Sequence, residues 1–433
     1  MEDWFIIFSI QETPGKKVVK IITQEQGEDG IIDMKTEICR LEEKYREKYI
    51  GYWKDFHQHP ELSFNEIRTS SKVAEILDTM GISVKREVGY TGVTGLLEGA
   101  EEGPVIALRA DMDALKINER TGCDFASENR GIMHACGHDA HTAMLLGTAH
   151  ILSEMRERIA GSVKFIFQPA EENSPSGGAA GMIKEGVLEN PEVSAVLGLH
   201  VWPTLETGQL GIKRGVMSAA SDRLKIAIKG KSCHAAYPEE GIDAVVIASE
   251  VISALQTLIS RNVSPLDSAV ITIGKLSGGT RYNIVADRVD LDGTVRTFLP
   301  ETRDMLSRKI EEITRATVES MGGTCEMEYQ RGYPAIMNDP GITSILRKTI
   351  TNLVGSEGLY EVETPDPGGE DFAYFSEKVP SAFVWLGCKP KGISVENFPK
   401  VHNNRFLPDE KALNIGVKYF CFSTLDLMNN LEG

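Results

Sequence analysis

The rhythm of apolar residues changes twice along this chain, and each change restricts the folds open to it. Residues 94–97, 105–108 and 163–167 are apolar, strand-like runs, and stretches of helical spacing lie among them, at 35–57, at 66–80 ended by Gly81, and at about 138–157. This alternation predicts a sheet covered by helices on both faces. From residue 219 the pattern differs. Residues 224–229 alternate apolar with polar, as a strand with one wet face does. They lead into a helix at 243–260, strands at 269–273 and 289–297, a helix at 301–321 and a strand at 325–330. That β-α-β-β-α-β order is ferredoxin-like. Helices after Pro340 and Asp409, with an apolar strand at 382–386 between them, return to the first rhythm. The prediction is an α/β main domain with a mixed sheet, split into residues 34–218 and 332–433 by an inserted ferredoxin-like α+β satellite domain at 219–331. Residues 1–33 are read as an extension of unknown role.

Charge and cysteine usage narrow the function classes. Lys and Arg number 46 against 63 Asp and Glu, a net charge of −17, so the overall field repels phosphate backbones and anionic lipid surfaces, and no nucleic-acid partner is expected. Apolar runs are read as too short to span a bilayer, so no membrane partner is expected either. The acidic start MEDWFIIFSI lacks the positive charge of a secretory signal. Seven cysteines without a CxxC pair suit a reducing compartment, so the cytoplasm is the expected location, and among the seven only Cys136 sits in suspicious company.

That company is HACGHDAHT, residues 134–142, where a thiol, two imidazoles and a carboxylate crowd between Cys136 and His141. Thiolate and imidazole are the ligands that zinc-like ions prefer. Glu171 and Glu172, in QPAEE, follow the strand at 163–167, at the strand end where α/β folds place their sites. Adjacent carboxylates there can divide labour, one binding metal and the other taking a proton from water as general base. His200 in GLHVW and His402 in VHNNR supply further imidazoles. Asp111 and Asp113 follow the strand at 105–108 and are read as facing opposite ways. Asp113 is favoured as the orienter of a ligand imidazole, and a plain surface acid is an equal reading of Asp111. Each feature alone has a plainer reading: a buried thiol at a helix start, a solvated acid pair, a core histidine. Their coincidence favours a metal site. Residues 274–280 have the outline of a phosphate-binding loop, but a Gly replaces the required Lys.

With RADMDAL, HACGHDAHT, QPAEE, GLHVWP, GGEDFAYF and HNNRF in this order, the chain after Met34 resembles the aminoacylase and hippurate-hydrolase branch of the dinuclear metallopeptidase family. The resemblance implies a metal-dependent amidohydrolase that cleaves small-molecule N-acyl amino acids to a carboxylate and a free amino acid. It implies two divalent metal ions per chain (zinc, manganese, cobalt or nickel), held by Cys136, His138, Glu172, His200 and His402, with Glu171 as the general base. It also implies that His234, in KSCHAAYP, reaches an active site, commonly that of the partner subunit, and hydrogen-bonds the developing oxyanion. Asn283 and Arg296 resemble substrate-holding positions, Arg296 being suited to a free carboxylate through a bidentate pair. A homodimer joined through the satellite domain follows, and the alternating strand is expected to offer its edge to a second chain. Two departures bear on substrate choice: Lys116 stands where the family usually has proline, and the loop at 173–181 is longer than usual. A metallocarboxypeptidase acting on short peptides is the alternative enzyme. A non-catalytic binding protein on the same fold would be expected to lack Glu171 or several ligands, and all six residues are present.

Overall fold

The computed structural model describes residues 7–13, 16–22 and 33–431. Within the N-terminal extension, strands Ile7–Thr13 and Lys16–Ile22 pair antiparallel; the rest of that extension lies outside the described residues. The main sheet has eight strands, in the spatial order Leu359–Glu361, Leu210–Ile212, Ser381–Lys389, Ala195–Glu206, Glu101–Asp111, Ala160–Gln168, Gly92–Glu98 and Ser83–Val88. Its middle four, Ser381–Lys389 to Ala160–Gln168, run parallel, and Gly92–Glu98 joins them antiparallel, so the sheet is mixed. The middle strands are apolar on both sides because both faces are covered. One face carries helices Met34–Gln58, His138–Glu154 and Glu410–Met428; the other carries a smaller core around Met182, Phe372, Phe375 and Phe383.

Helix His138–Glu154 is buried along nearly its whole length. Small residues permit this: a Cβ on Gly147 would stand 2.8 Å from the Tyr49 ring and 3.0 Å from Val417, so glycine lets the flanking helices close in. The helix is therefore held with its N-terminus, and His138, beside the carboxyl ends of the parallel strands, where open α/β sheets form their crevices.

The second sheet is antiparallel, in the order Ala269–Gly278, Arg288–Thr297, Ala220–Lys229, Thr324–Gln330. Helices Ala244–Asn262 and Pro300–Ser320 cover one face and share with it a core of its own, including Leu224, Ile226, Ile228, Val251, Leu255, Leu306 and Ile310. The opposite face carries ion pairs such as Lys225 with Glu328 and Arg223 with Asp292, which explains the alternation seen in the sequence.

Two expectations are corrected here. The alternating strand Ala220–Lys229 is paired on both sides, so it offers no edge; the edges belong to Ala269–Gly278 and Thr324–Gln330. Alternation reports one wet face and says nothing about lateral neighbours. Helix Ala244–Asn262 is long and apolar enough, by length and composition, to cross a bilayer, contrary to the reading of run lengths. Its buried residues Ile247, Val251, Leu255 and Leu258 recur at helical spacing on the side packed against the satellite sheet. Residues 274–280 begin in strand Ala269–Gly278, and the next regular element is another strand, so the helix that a phosphate-binding loop requires is missing, in keeping with the Gly in place of its Lys.

The turn after strand Ala160–Gln168 is held from outside its own segment. Ala170 has φ of 56°, a left-handed conformation that costs an alanine free energy unless its surroundings enforce it. Glu66 does so: its Oε1 accepts from the Ala170 amide at 2.8 Å, and its Oε2 accepts from the Thr91 hydroxyl at 2.5 Å. Burial pushes the Glu66 carboxyl up to about 7, with the negative Asp113 adding to the effect and the Thr91 hydrogen bond opposing it. A carboxyl whose folded-state pKa is raised costs nothing while protonated in both states. Its penalty grows as pH rises from the unfolded value near 4.5 to the folded value near 7. Glu66→Gln, which can keep both hydrogen bonds, is expected to be more stable than the parent above pH 7 by on the order of 2–3 kcal/mol and to lose that advantage near pH 4. Thermal unfolding across this range checks the sign; an advantage that grew toward acid would contradict it.

Candidate metal centre

Asp111 closes strand Glu101–Asp111, and Asp113 stands in the segment just beyond. The Asp113 carboxylate accepts the Glu171 amide on Oδ1 at 3.0 Å and the Glu172 amide on Oδ2 at 3.0 Å. It also accepts the Ser63 hydroxyl at 2.6 Å, and its Oδ1 lies 3.3 Å from His138 Nδ1. One buried side chain thus positions the acid pair and one imidazole together.

The expectation that Asp111 and Asp113 face opposite ways is corrected, and the surface reading of Asp111 does not hold. Asp111 is fully buried; its Oδ1 accepts from His141 Nδ1 at 2.6 Å, and its Oδ2 lies 3.8 Å from His138 Nε2. Side chains two residues apart on a strand share a face, and both acids turn toward the start of helix His138–Glu154. His141 gives its Nδ1 proton to Asp111 and accepts the Val201 amide on Nε2 at 2.9 Å, so both ring nitrogens are committed. Of the two imidazoles between Cys136 and His141, only His138 has a nitrogen to offer.

Around His138 the other expected residues converge from four separate segments. Cys136 Sγ lies 3.3 Å from His200 Nε2, and His402 Nε2 lies 3.0 Å from Glu172 Oε1. Ligand atoms of Cys136, His138 and His200 fall within 4.8 Å of one another, as do those of Cys136, Glu172 and His402, and those of His138, Glu171 and Glu172. His138 Nε2 is buried without a hydrogen-bond partner, and Glu172 Oε1 is buried and meets the His402 ring without hydrogen-bond geometry. Orphaned buried polar atoms are costly, and a divalent cation between these two would satisfy both. Electrostatics point the same way. Burial and then the neighbouring Glu370, Glu172 and Asp371 hold the Glu171 carboxyl well above its usual range, and burial with Glu172 and Glu171 does the same to the Cys136 thiol. Thiolate, imidazole and carboxylate crowded together are a donor set suited to zinc-like ions.

A second set of residues behind the cluster escaped the sequence reading. Arg109 is fully buried and donates to Gln168 Oε1 at 2.9 Å, Asp111 Oδ2 at 2.7 Å, Glu370 Oε1 at 3.0 Å and Asp371 Oδ1 at 3.0 Å. Asp371 also accepts from the Gln168 side chain and from the Gly178 and Ala179 amides. The signal was present in RADMD and GGEDF: charges embedded in apolar strand-end segments need partners of opposite sign.

The cluster lies in a cleft of about 380 Å³ whose lining includes Cys136, Glu171, Glu172, His200 and His402. Trp202 and Trp385, stacked 4.0 Å apart, form an apolar wall with Phe383. Arg296, from strand Arg288–Thr297 of the satellite sheet, reaches the same cleft and has no hydrogen-bond partner among the described residues. Ser174 of the long loop also lines it, whereas Lys116 is exposed and does not. His234 and Asn283 do not line it. They lie together in the satellite, where Asn283 O accepts the Ala235 amide at 3.1 Å; His234 is exposed, and Asn283 Oδ1 is buried without a partner.

Comparison with known proteins agrees with this arrangement. Residues 107–423 match the model of peptidase family M20/M25/M40. The chain is 40% identical over 377 residues to N-acetyl-L-cysteine deacetylase of Bacillus subtilis, covering 87% of this chain and 86% of that one. It is 42% identical over 304 residues to N-acyl-L-amino acid amidohydrolase of Geobacillus stearothermophilus, covering 70% and 81%. Among solved structures, the Bacillus subtilis YXEP protein, described as a dinuclear metal binding peptidase, superposes with a TM-score of 0.77 at 35% identity, covering 90% of this chain and all of that one. A buried Cys, His and Glu cluster at the strand ends and matches along most of the length lead to one conclusion: this chain belongs to peptidase family M20/M25/M40 and is a metal-dependent amidohydrolase.

Proposed function

We propose that this chain hydrolyses N-acyl amino acids to a carboxylate and a free amino acid. In this reading Cys136, His138, Glu172, His200 and His402 hold two divalent ions, of zinc, manganese, cobalt or nickel, and Glu171 is the general base. The observation that carries the proposal is the convergence of the Cys136, His138, Glu172, His200 and His402 ligand atoms at the base of a cleft, with His138 Nε2 buried and unpartnered. When bound, such ions polarise an amide carbonyl and lower the pKa of a coordinated water. The chain supplies the rest. Glu171 is fixed at both ends of its backbone, its amide on Asp113 and its carbonyl accepting the Tyr333 hydroxyl at 2.6 Å, so its carboxylate is held ready to take a proton from water and pass it to the leaving amine. Arg296 suits the substrate's free carboxylate, and the Trp202, Trp385 and Phe383 wall suits an apolar acyl group or side chain.

We further infer a homodimer joined through the satellite domain at 219–331, with residues 34–218 and 332–433 forming the catalytic domain. His234 and Asn283 lie outside their own chain's cleft, and the edge strand Ala269–Gly278 exposes Val270 and Leu276. Seven free thiols support a reducing, cytoplasmic setting.

Removal of the base is expected to separate from removal of a ligand. Glu171→Gln should lower turnover by about 100-fold or more while keeping the metal content of the parent, whereas Glu172→Ala should lose metal. Metal analysis beside a screen of N-acyl amino acids checks both; if both variants kept metal and only Glu172→Ala were inactive, the two roles would be reversed. For the dimer, mixing inactive His234→Ala with inactive Glu171→Gln chains should restore part of the activity once subunits exchange. Persistent inactivity despite demonstrated exchange would mean that His234 does not serve the partner's cleft.

A further inference from the structure

Outside the cleft, one more group of metal-ligating side chains converges. His57, near the end of helix Met34–Gln58, has its Nδ1 2.7 Å from Asp139 Oδ2 and its Nε2 3.1 Å from Glu119 Oε1. Cys123 Sγ lies 3.8 Å from the same Glu119 oxygen, and ligand atoms of His57, Glu119 and Cys123 all fall within 4.8 Å of one another. We propose that His57, Glu119 and Cys123 form a separate binding site for a zinc-like divalent cation.

The local construction fits that role. Asp139 fixes the imidazole through Nδ1 and leaves Nε2 facing Glu119 and Cys123; carboxylates orient metal-binding histidines in this way. Glu119 is itself held, its Oε2 accepting the Ser127 amide at 2.6 Å and its Oε1 accepting the Thr121 hydroxyl. The Phe125 ring stands edge-on to His57 at 5.5 Å and packs against Trp53 at 5.0 Å, giving the site an apolar cover. His57 is buried, while Cys123 is only half-buried and leaves a way in from solvent. One nitrogen, one sulfur and one carboxylate oxygen leave a tetrahedral ion a fourth position for water.

Charge favours occupancy. Two carboxylates and a thiol surround one imidazole. Burial opposes a charge on that ring, but Asp139 and Glu119 outweigh it and push His57 up to about 12, so without metal the ring is the cation of the group. A divalent ion would replace the Nε2 proton and the thiol proton, both released to solvent, and let the two anions and the imidazole share one positive centre. The site would tie the segment carrying Glu119 and Cys123 to helix Met34–Gln58 and, through Asp139, to the first turn of helix His138–Glu154.

The test uses the full chain, freed of metal with a chelator and then equilibrated with zinc, with alkylation by iodoacetamide mapped by peptide mass spectrometry. Zinc is expected to slow alkylation of Cys123 in the parent, and this protection is expected to be lost in Glu119→Gln. Cys123→Ser, a near-isosteric change at a half-buried position, is expected to bind one zinc fewer per chain than the parent. Equal alkylation of Cys123 with and without zinc, full protection in Glu119→Gln, or unchanged zinc content in Cys123→Ser would each overturn the site.

Discussion

The site depends on where the Asp113 carboxylate sits. It is buried, and it accepts two consecutive backbone amides, those of Glu171 and Glu172, while facing the Nδ1 of His138. Those contacts fix the proposed base, one candidate ligand carboxylate and one candidate ligand imidazole relative to a single group, although the residues come from three segments of the chain. Pre-organisation of this kind is what a reaction governed by geometry requires, because small misplacements of a base cost rate steeply. The left-handed turn at Ala170 is what lets both amides meet Asp113, and Glu66 holds that turn.

Charge balance explains why a metal belongs at this point. Arg109 is a buried guanidinium already engaged with Asp111, Glu370 and Asp371. It cannot also serve Glu171 and Glu172, which face the cleft beside a buried thiol. A buried anion without a counter-charge either takes up a proton or finds a cation. The protein therefore presents two layers. An inner one is bridged by Arg109, and an outer one is where the proposed metal ions would supply the counter-charge. The satellite domain adds Arg296 to the same cleft from above.

Much of this was legible in the sequence, for identifiable reasons. The central strands were visible as apolar runs because both faces of the sheet are covered, and the ferredoxin-like order was visible because helices and strands differ in period. The candidate ligands stood out as Cys, His and Glu at strand ends. What was not legible depended on spatial neighbours. Alternation in Ala220–Lys229 could not reveal that the strand is interior, because lateral pairing leaves no mark on side-chain period. The common direction of Asp111 and Asp113 was misread, and with it the commitment of His141 to Asp111. Arg109 looked like one more charge until its three carboxylates arrived from Asp111 and the distant GGEDF segment. Cys123 looked bland because its partner His57 lies far earlier in the chain.

The central claim is that Cys136, His138, Glu172, His200 and His402 together hold two metal ions. Anomalous diffraction from crystals of the metal-loaded protein, recorded on both sides of the metal's absorption edge, tests it most directly. The account predicts two peaks about 3.5–4 Å apart, the spacing of two-metal hydrolytic sites, both within bonding distance of these five side chains. A single peak there, or ions bound without contact to Cys136 and Glu172, would contradict it.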